Sequence, residues 1–244
     1  MPDESIEMSK NKAYLLLERW EAALAAGEIT EEDWYREMQA IFTPAYLAAE
    51  TPWGQSGKLG DQAAWEYARS LIADAVDRSG TFLDVGCASG YLMECLARWT
   101  QEKGLEVEVY GLDIAPELAD LARRRLPHWA DRIYVGNAID WPPRMRFDFV
   151  RTGLEYVPQR RQPDFVARLL RDVVAPGGRL FLGTYGEERD ELLTAPSLEA
   201  QLAGWGFPIS GRTERPNHRD PRLFYRVVWI DLPDPTRRYA DSLP

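Results

Sequence analysis

Thr81-Phe-Leu-Asp-Val-Gly-Cys-Ala-Ser-Gly-Tyr-Leu92 decides how the rest of this chain is read. Thr81 to Val85 is a short apolar run biased toward β-branched residues, the pattern of a buried strand. Gly86-Cys-Ala-Ser-Gly90 follows at once, and its two glycines permit a tight turn that a ligand can approach closely. From Tyr91 to Trp99, Leu92, Leu96 and Trp99 recur near helical spacing. A strand, a Gly-rich turn and a helix in this order place free N–H groups and the positive helix end above the strand's carboxyl end. Open α/β sheets bind ligands at that edge. The nicotinamide fingerprint G-x-G-x-x-G fails here: Ala88 could take the second position, but Tyr91 occupies the third. The plain alternative is an ordinary strand-to-helix turn.

Asp84-x-Gly86-x-Ala88-x-Gly90 resembles motif I of the class I S-adenosylmethionine (SAM)-dependent methyltransferases, with Ala88 in place of the middle glycine. Further resemblances follow in order. Glu106 to Ile114 reads as a second strand ending at Asp113, 23 residues beyond Gly90, with Pro116 opening a helix at its favoured first position. An acidic residue there can accept both ribose hydroxyls, although capping the next helix is the simpler role. Arg132 to Asp140 reads as strand three and its exit, where Gly136-Asn137-Ala138 stands in place of the family's frequent Gly-Asp-Ala. Arg146 to Thr152 reads as strand four, followed by Gly153-Leu-Glu-Tyr-Val-Pro158. Tyr156 replaces the histidine found after the glutamate in many small-molecule members. Leu170 to Leu182, with its Pro-Gly-Gly, is a further likeness.

The resemblance implies SAM as cofactor, with S-adenosylhomocysteine as product. It implies cofactor contacts at Asp84, Gly86, Cys87, Ala88, Gly90, Asp113, Ile114, Asn137, Ala138, Ile139 and Thr152. Asp84 would serve the ammonium, Asp113 the ribose, and Asn137 with Ile139 the adenine. The fold implied is α/β, a Rossmann-like seven-stranded, mostly parallel sheet flanked by helices, closed by an antiparallel pair that puts strand seven beside strand five.

Composition narrows the partner. The chain of 244 residues is 45% hydrophobic, with 29 Lys plus Arg against 39 Asp plus Glu and a formal charge of −10. Phosphate neutralisation needs basic surface, so nucleic acid is not expected, and neither is an anionic membrane. Arg123-Arg-Arg125, Arg160-Arg161 and Arg237-Arg238 read as solvated faces and tail. Cys87 and Cys95 are poorly placed to bond each other, and no Cys/His cluster has zinc spacing, so no metal is expected. The acidic first residues do not resemble a secretory signal, and no apolar run of ~18 residues appears. A cytoplasmic protein is the simplest expectation.

Residues 1–60 are expected to form a helical extension ending in a lid-like loop, 61–230 the SAM-binding domain and 231–244 a Pro-rich tail. In the extension, Lys12–Ala26 reads as a helix. A capping box at Thr30-Glu-Glu-Asp33 opens a second helix through Phe42, and Pro44–Glu50 reads as a short third. The loop from Thr51 to Gly60 holds Trp53 and Gln55. It is either a flexible linker or a lid over cofactor or substrate. Its Gly57-Lys58 is no phosphate loop, because Leu59 follows the lysine and Pro52 stands where a glycine is required. Strands six and seven are placed at Phe207–Arg212 and Leu223–Ile230.

The expected activity is methyl transfer to a small-molecule acceptor by in-line displacement. Glu155, Tyr156 and His218 are the candidates for a general base if the acceptor must lose a proton. No Asn-Pro-Pro-Tyr and no Pro-Cys follows strand four, which weighs against adenine-N6, protein-glutamine and cytosine-C5 methylation. A non-catalytic SAM-binding or regulatory protein is the alternative, as is a methyltransferase acting on protein or RNA. The acceptor and the oligomeric state are left open.

Overall fold

A computed structural model describes residues 4–57, 61–185, 197–217 and 222–234, with side chains in the first helix described from Leu15 and those of β5 to Gly183. Seven strands form one sheet in the order β3-β2-β1-β4-β5-β7-β6. They are β1 (Gly80–Val85), β2 (Val107–Asp113), β3 (Ile133–Val135), β4 (Phe147–Thr152), β5 (Val174–Tyr185), β6 (Gly211–Pro216) and β7 (Phe224–Asp231). The first five are parallel. β7 pairs antiparallel with β5, and β6 with β7, as the resemblance implies.

The central strands are near-continuous apolar runs because helices cover both their faces. Phe82 and Phe149 pack against α3 (Gln62–Asp74), α4 (Tyr91–Glu102) and α5 (Pro116–Arg125). Leu83, Val85 and Val150 face α6 (Gln162–Arg168) and α7 (Leu198–Gly204). After Arg168 the helix widens into one π-type turn, Leu169–Val173, before β5 begins. β4 and β5 shift register between Phe147 and Phe149, which accommodates Pro-Gly-Gly at the start of β5.

Two N-terminal helices, α1 (Glu4–Ala26) and α2 (Glu31–Leu47), precede the sheet. The capping box forms as expected: Thr30 Oγ1 accepts from Asp33 N at 3.1 Å, and the Thr30 amide donates to Asp33 Oδ2 at 2.9 Å. The expected break at Thr43-Pro44 does not occur. α2 runs through Pro44 to Leu47, so no separate third helix forms. Proline removes one donor, and the added turn carries Tyr46 into a cluster with Ala88, Ala115 and Leu118, which offsets that loss.

Strand six also differs from its expected place, pairing from Gly211 to Pro216 rather than from Phe207. Phe207 and Ile209 are apolar because they pack on the sheet face beside Leu202, not because they are strand residues. Pairing starts at Gly211, where a Cβ would lie 2.2 Å from the Trp229 ring. Among the described residues no helix is long and apolar enough to cross a membrane.

Candidate functional site

The carboxyl ends of β1, β2, β3 and β4 converge on one edge, and nearly all the expected site residues lie there. The turn after β1 is held by its own backbone. Gly86 N and Cys87 N donate to Leu112 O at 2.7 and 3.1 Å, and Gly90 N donates to Cys87 O at 2.8 Å. Gly86 has φ +76° and Gly90 φ +73°, both left-handed. Ala88, the alanine in place of glycine, also sits left-handed at φ +47°, the one non-glycine residue so placed among those described. The two glycines do different things. A Cβ on Gly90 would lie 2.7 Å from Leu126 Cδ1, so that residue lets α4 pack on the end of α5. A Cβ on Gly86 would lie 2.6 Å from the Tyr156 ring, so that residue lets the tyrosine pack on the turn.

Asp113 ends β2 and is buried. Its Oδ2 accepts from Ala88 N at 2.8 Å and its Oδ1 from Ala115 N at 2.9 Å. One carboxylate therefore ties the Gly-rich turn to the start of α5. Burial raises its pKa, and main-chain donors from Ala115, Ala88 and Ile114 pull it back. Ile114 and Ile139 pack against Trp34 and Tyr35 of α2. Asn137 follows β3, its Oδ1 accepting from Ile139 N at 3.2 Å. Ala138 is buried, and its carbonyl accepts from Arg168 Nη1 at 2.8 Å. A cleft of about 560 Å³ opens beside them, lined by Tyr35 and Gln39 of α2 together with Asn137, Ile139 and Asp140. Thr152 is fully buried at the end of β4.

Glu155 is exposed and folds back over Gly153, where a Cβ would meet its carboxylate at 2.4 Å. Tyr156 turns inward. Burial pushes its phenol well above the usual range, with Arg151 pulling the other way, so it keeps its proton near neutral pH and acts as a donor rather than a base. Cys87 is buried and its thiol is pushed up by burial, which leaves no thiolate nucleophile.

The segment from Thr51 to Gly57 is pinned to this edge. It closes into a 3₁₀ turn, Gly54–Ser56, with Gln55 Nε2 donating to Ala49 O at 2.8 Å. Ser89 Oγ donates to Pro52 O at 3.0 Å and lies 3.0 Å from Ser56 Oγ. Trp53 packs toward Tyr91, ring centroids 6.2 Å apart. Gln55 thus serves the turn itself and Trp53 the α4 side. His218 lies outside the described residues.

Residues 82–178 match a family model described as a methyltransferase domain. That stretch is a methyltransferase domain of the class I SAM-dependent type. The chain is 32% identical over 158 residues to a mitochondrial ubiquinone biosynthesis O-methyltransferase of Candida albicans, covering 61% of this chain and 44% of that one. It is 27% identical over 166 residues to a protein-L-isoaspartate O-methyltransferase 2 of Arabidopsis thaliana, covering 62% and 50%. The chain thus spans about half the length of these curated relatives. The crystal structure of a SAM-dependent methyltransferase from Aquifex aeolicus shares the fold, with TM-score 0.51, 20% identity, and coverage of 75% of this chain and all of that one.

This methyltransferase edge holds one residue that sequence reasoning passed over. Arg151 lies beside Asp84 in the β1–β4 register, so both side chains leave the same face. Arg151 Nη1 is 3.2 Å from Asp84 Oδ1, and both groups are buried. The same nitrogen donates to the Tyr156 hydroxyl at 3.1 Å. Burial drives the Asp84 carboxyl up and Arg151 draws it back, leaving it at about 6. The signal was present in Phe147-Asp-Phe-Val-Arg-Thr152: a cation inside a parallel strand buried on both faces requires a partner.

Proposed function

We propose that this chain is a methyltransferase for a small-molecule acceptor, with the donor held along the carboxyl edge of β1, β2 and β3. The observation that carries the reading is the roof over that edge. Tyr46 of α2 covers Ala88 and Ala115, while Trp34 and Tyr35 cover Ile114 and Ile139. A cleft roofed by α2 suits a compact acceptor better than a folded macromolecule. The net charge of −10 points the same way, away from nucleic acid. The likeness to a ubiquinone biosynthesis O-methyltransferase supports a small organic acceptor as well. A cytoplasmic location accords with this reading.

The residues present fit SAM. Gly86, without a Cβ, lets the Tyr156 ring lie directly on the turn, and Asp113 places a carboxylate at the end of β2. Asp113 would take the ribose hydroxyls on the lone pairs that its two backbone bonds leave over. Asn137 and Ile139 would border the adenine, and Ile114 its other side. The remaining Gly-rich-turn positions, Cys87, Ala88 and Gly90, shape the turn, and Ala138 and Thr152 are buried at the exits of β3 and β4. Bound there, SAM supplies a methyl group on a sulfonium cation, which an incoming nucleophile accepts.

The chain's part is then to hold and to desolvate. Holding two reactants in line contributes roughly 7–11 kcal/mol. Tyr156 can donate a hydrogen bond to the acceptor, and the exposed Glu155 stands where it could receive a proton from it. Titration calorimetry with SAM and S-adenosylhomocysteine, followed by a panel of phenols, amines and carboxylic acids with tritiated SAM, tests the reading. Binding together with turnover of a small acceptor is expected. Binding with turnover only on protein or RNA would refute the acceptor class, and absence of binding would refute the whole.

A further inference from the structure

The places along this edge where a donor would lie are covered by aromatic side chains of the chain itself. The Tyr156 ring lies on Gly86, close enough that a Cβ there would come within 2.6 Å of it. Tyr46 lies on Ala88 and Ala115, whose amides Asp113 binds. Trp34 and Tyr35 lie on Ile114 and Ile139. Roof and floor are in direct contact: Asp113 is 6% exposed, Ala88 5% and Trp34 itself 1%. The 560 Å³ cleft gives no room here, because none of Gly86, Ala88, Asp113 or Ile114 lines it. Three of the four aromatics belong to α2, and α1 packs on the same helix through Leu24 beside Trp34. The helix pair is latched to the 3₁₀ turn Gln159–Arg161, just beyond Tyr156. The Gln159 amide donates to both Glu21 carboxylate oxygens at 3.2 Å, and Arg160 Nη2 donates to Glu31 Oε1 at 3.1 Å. At its other end α2 stops at Leu47, and the chain is next tied to α4's start where Ser89 Oγ donates to Pro52 O. Residues 48–51 are therefore the connection about which the helix pair can turn.

We propose that α1 and α2 form a built-in plug: Trp34, Tyr35 and Tyr46 occupy the donor's place, and SAM enters only when the helix pair swings away about residues 48–51 and Tyr156 leaves Gly86. This rests on the reading that SAM is held at this edge. The apparent affinity for the donor is then the affinity of the open form reduced by the fraction of chains that are open. Every contact that seats the plug opposes donor binding, so weakening one strengthens binding. A lid that closes over a bound donor has the opposite sign throughout, and it would need a layer of space between roof and floor.

The test is titration calorimetry with S-adenosylhomocysteine on the full chain, together with hydrogen exchange of the α2 amides with and without that compound. Glu21→Ala combined with Arg160→Ala cuts both latch contacts at a distance from the edge, and is expected to tighten binding about 3- to 10-fold. Trp34→Ala removes the largest ring of the plug and is expected to tighten it about 10-fold or more. If Trp34→Ala fails to fold, the latch variant carries the same expectation. In the wild type the α2 amides are expected to exchange faster once S-adenosylhomocysteine is bound, because binding holds the helix off the sheet edge. Slower exchange of α2 on binding would overturn the plug and leave the SAM-site reading standing. So would latch and Trp34 variants that bind no tighter than the wild type. If the wild type does not bind S-adenosylhomocysteine at all, the SAM-site reading falls first and this inference with it.

Discussion

Replacing Asp113 separates its two duties. In the structure its carboxylate accepts the amides of Ala88 at 2.8 Å and Ala115 at 2.9 Å, at residues that are themselves 5% and 2% exposed. Asp113→Ala strands both donors. Each buried unsatisfied N–H costs about 1–3 kcal/mol, so the gross loss is about 2–6 kcal/mol. Relief from burying a carboxylate offsets part of it, since burial already raises that pKa. A net loss of about 2–4 kcal/mol is expected. Asp113→Asn keeps one acceptor and turns an amide N–H₂ against the other donor, for a loss of about 1–3 kcal/mol. Urea unfolding should show the order wild type, Asn, Ala in midpoint with an unchanged m value. Hydrogen exchange at the Ala88 and Ala115 amides should accelerate in the alanine variant before the rest of the sheet does. An Asp113→Ala protein within about 0.5 kcal/mol of wild type, with Ala88 exchange unaltered, would refute the staple. If the staple holds, weaker SAM binding by Asp113→Ala reports a disordered turn as well as a lost ribose contact.

The remaining expectations concern the same edge. Ala88 carries left-handed strain of about 1–2 kcal/mol, but its buried methyl contributes about 0.8 kcal/mol and a glycine would cost about 0.4–1 kcal/mol of unfolded-state entropy. Ala88→Gly should therefore stay within about 1 kcal/mol of wild type in urea unfolding, whereas Ala88→Val should lose about 2 kcal/mol or more; equal stability of the valine variant would contradict this. Asp84 has its folded pKa raised to about 6, so the folded state holds the extra proton. Stability from this group is present below its unfolded value near ~3.9 and fades as pH rises through the folded one. Relative to Asp84→Asn, the wild type should lose about 3 kcal/mol between pH ~4 and ~7, and a pH-independent difference would refute the raised value. Ser89→Ala removes the bond to Pro52 O and should cost about 1 kcal/mol, with faster exchange at Gln55 and Ser56; unchanged exchange there would show that the turn is held by other contacts.

Much of the fold is local enough to be written in the chain. The strand-turn-helix at Thr81–Leu92, Asp113 ahead of Pro116, and the Thr30 capping box each depend on neighbours within a few residues. Periodicity and turn chemistry expose such features. The order of strands came through a resemblance rather than through periodicity, because pairing between distant segments leaves no local trace. Where local signals misled, tertiary contacts were the cause. Pro44 reads as a stop, yet the burial of Tyr46 carries α2 past it. Phe207 and Ile209 look like a strand, yet they cover the sheet instead of joining it.

By itself, then, the sequence carried the resemblance, the Gly-rich strand-turn-helix and the residue types along that edge. Only the tertiary structure decided how those residues are spent. It bound Asp113 to the amides of Ala88 and Ala115, gave Gly90 to Leu126 and Gly86 to Tyr156, and paired Asp84 with Arg151 across two strands. Apart from the local bond to Ala115, these contacts join positions 25 to 70 apart in the chain. Their partners are chosen by sheet register and by the need of each buried charge or donor for a counterpart. A one-dimensional pattern records that a charge is there, and the packed sheet supplies what answers it.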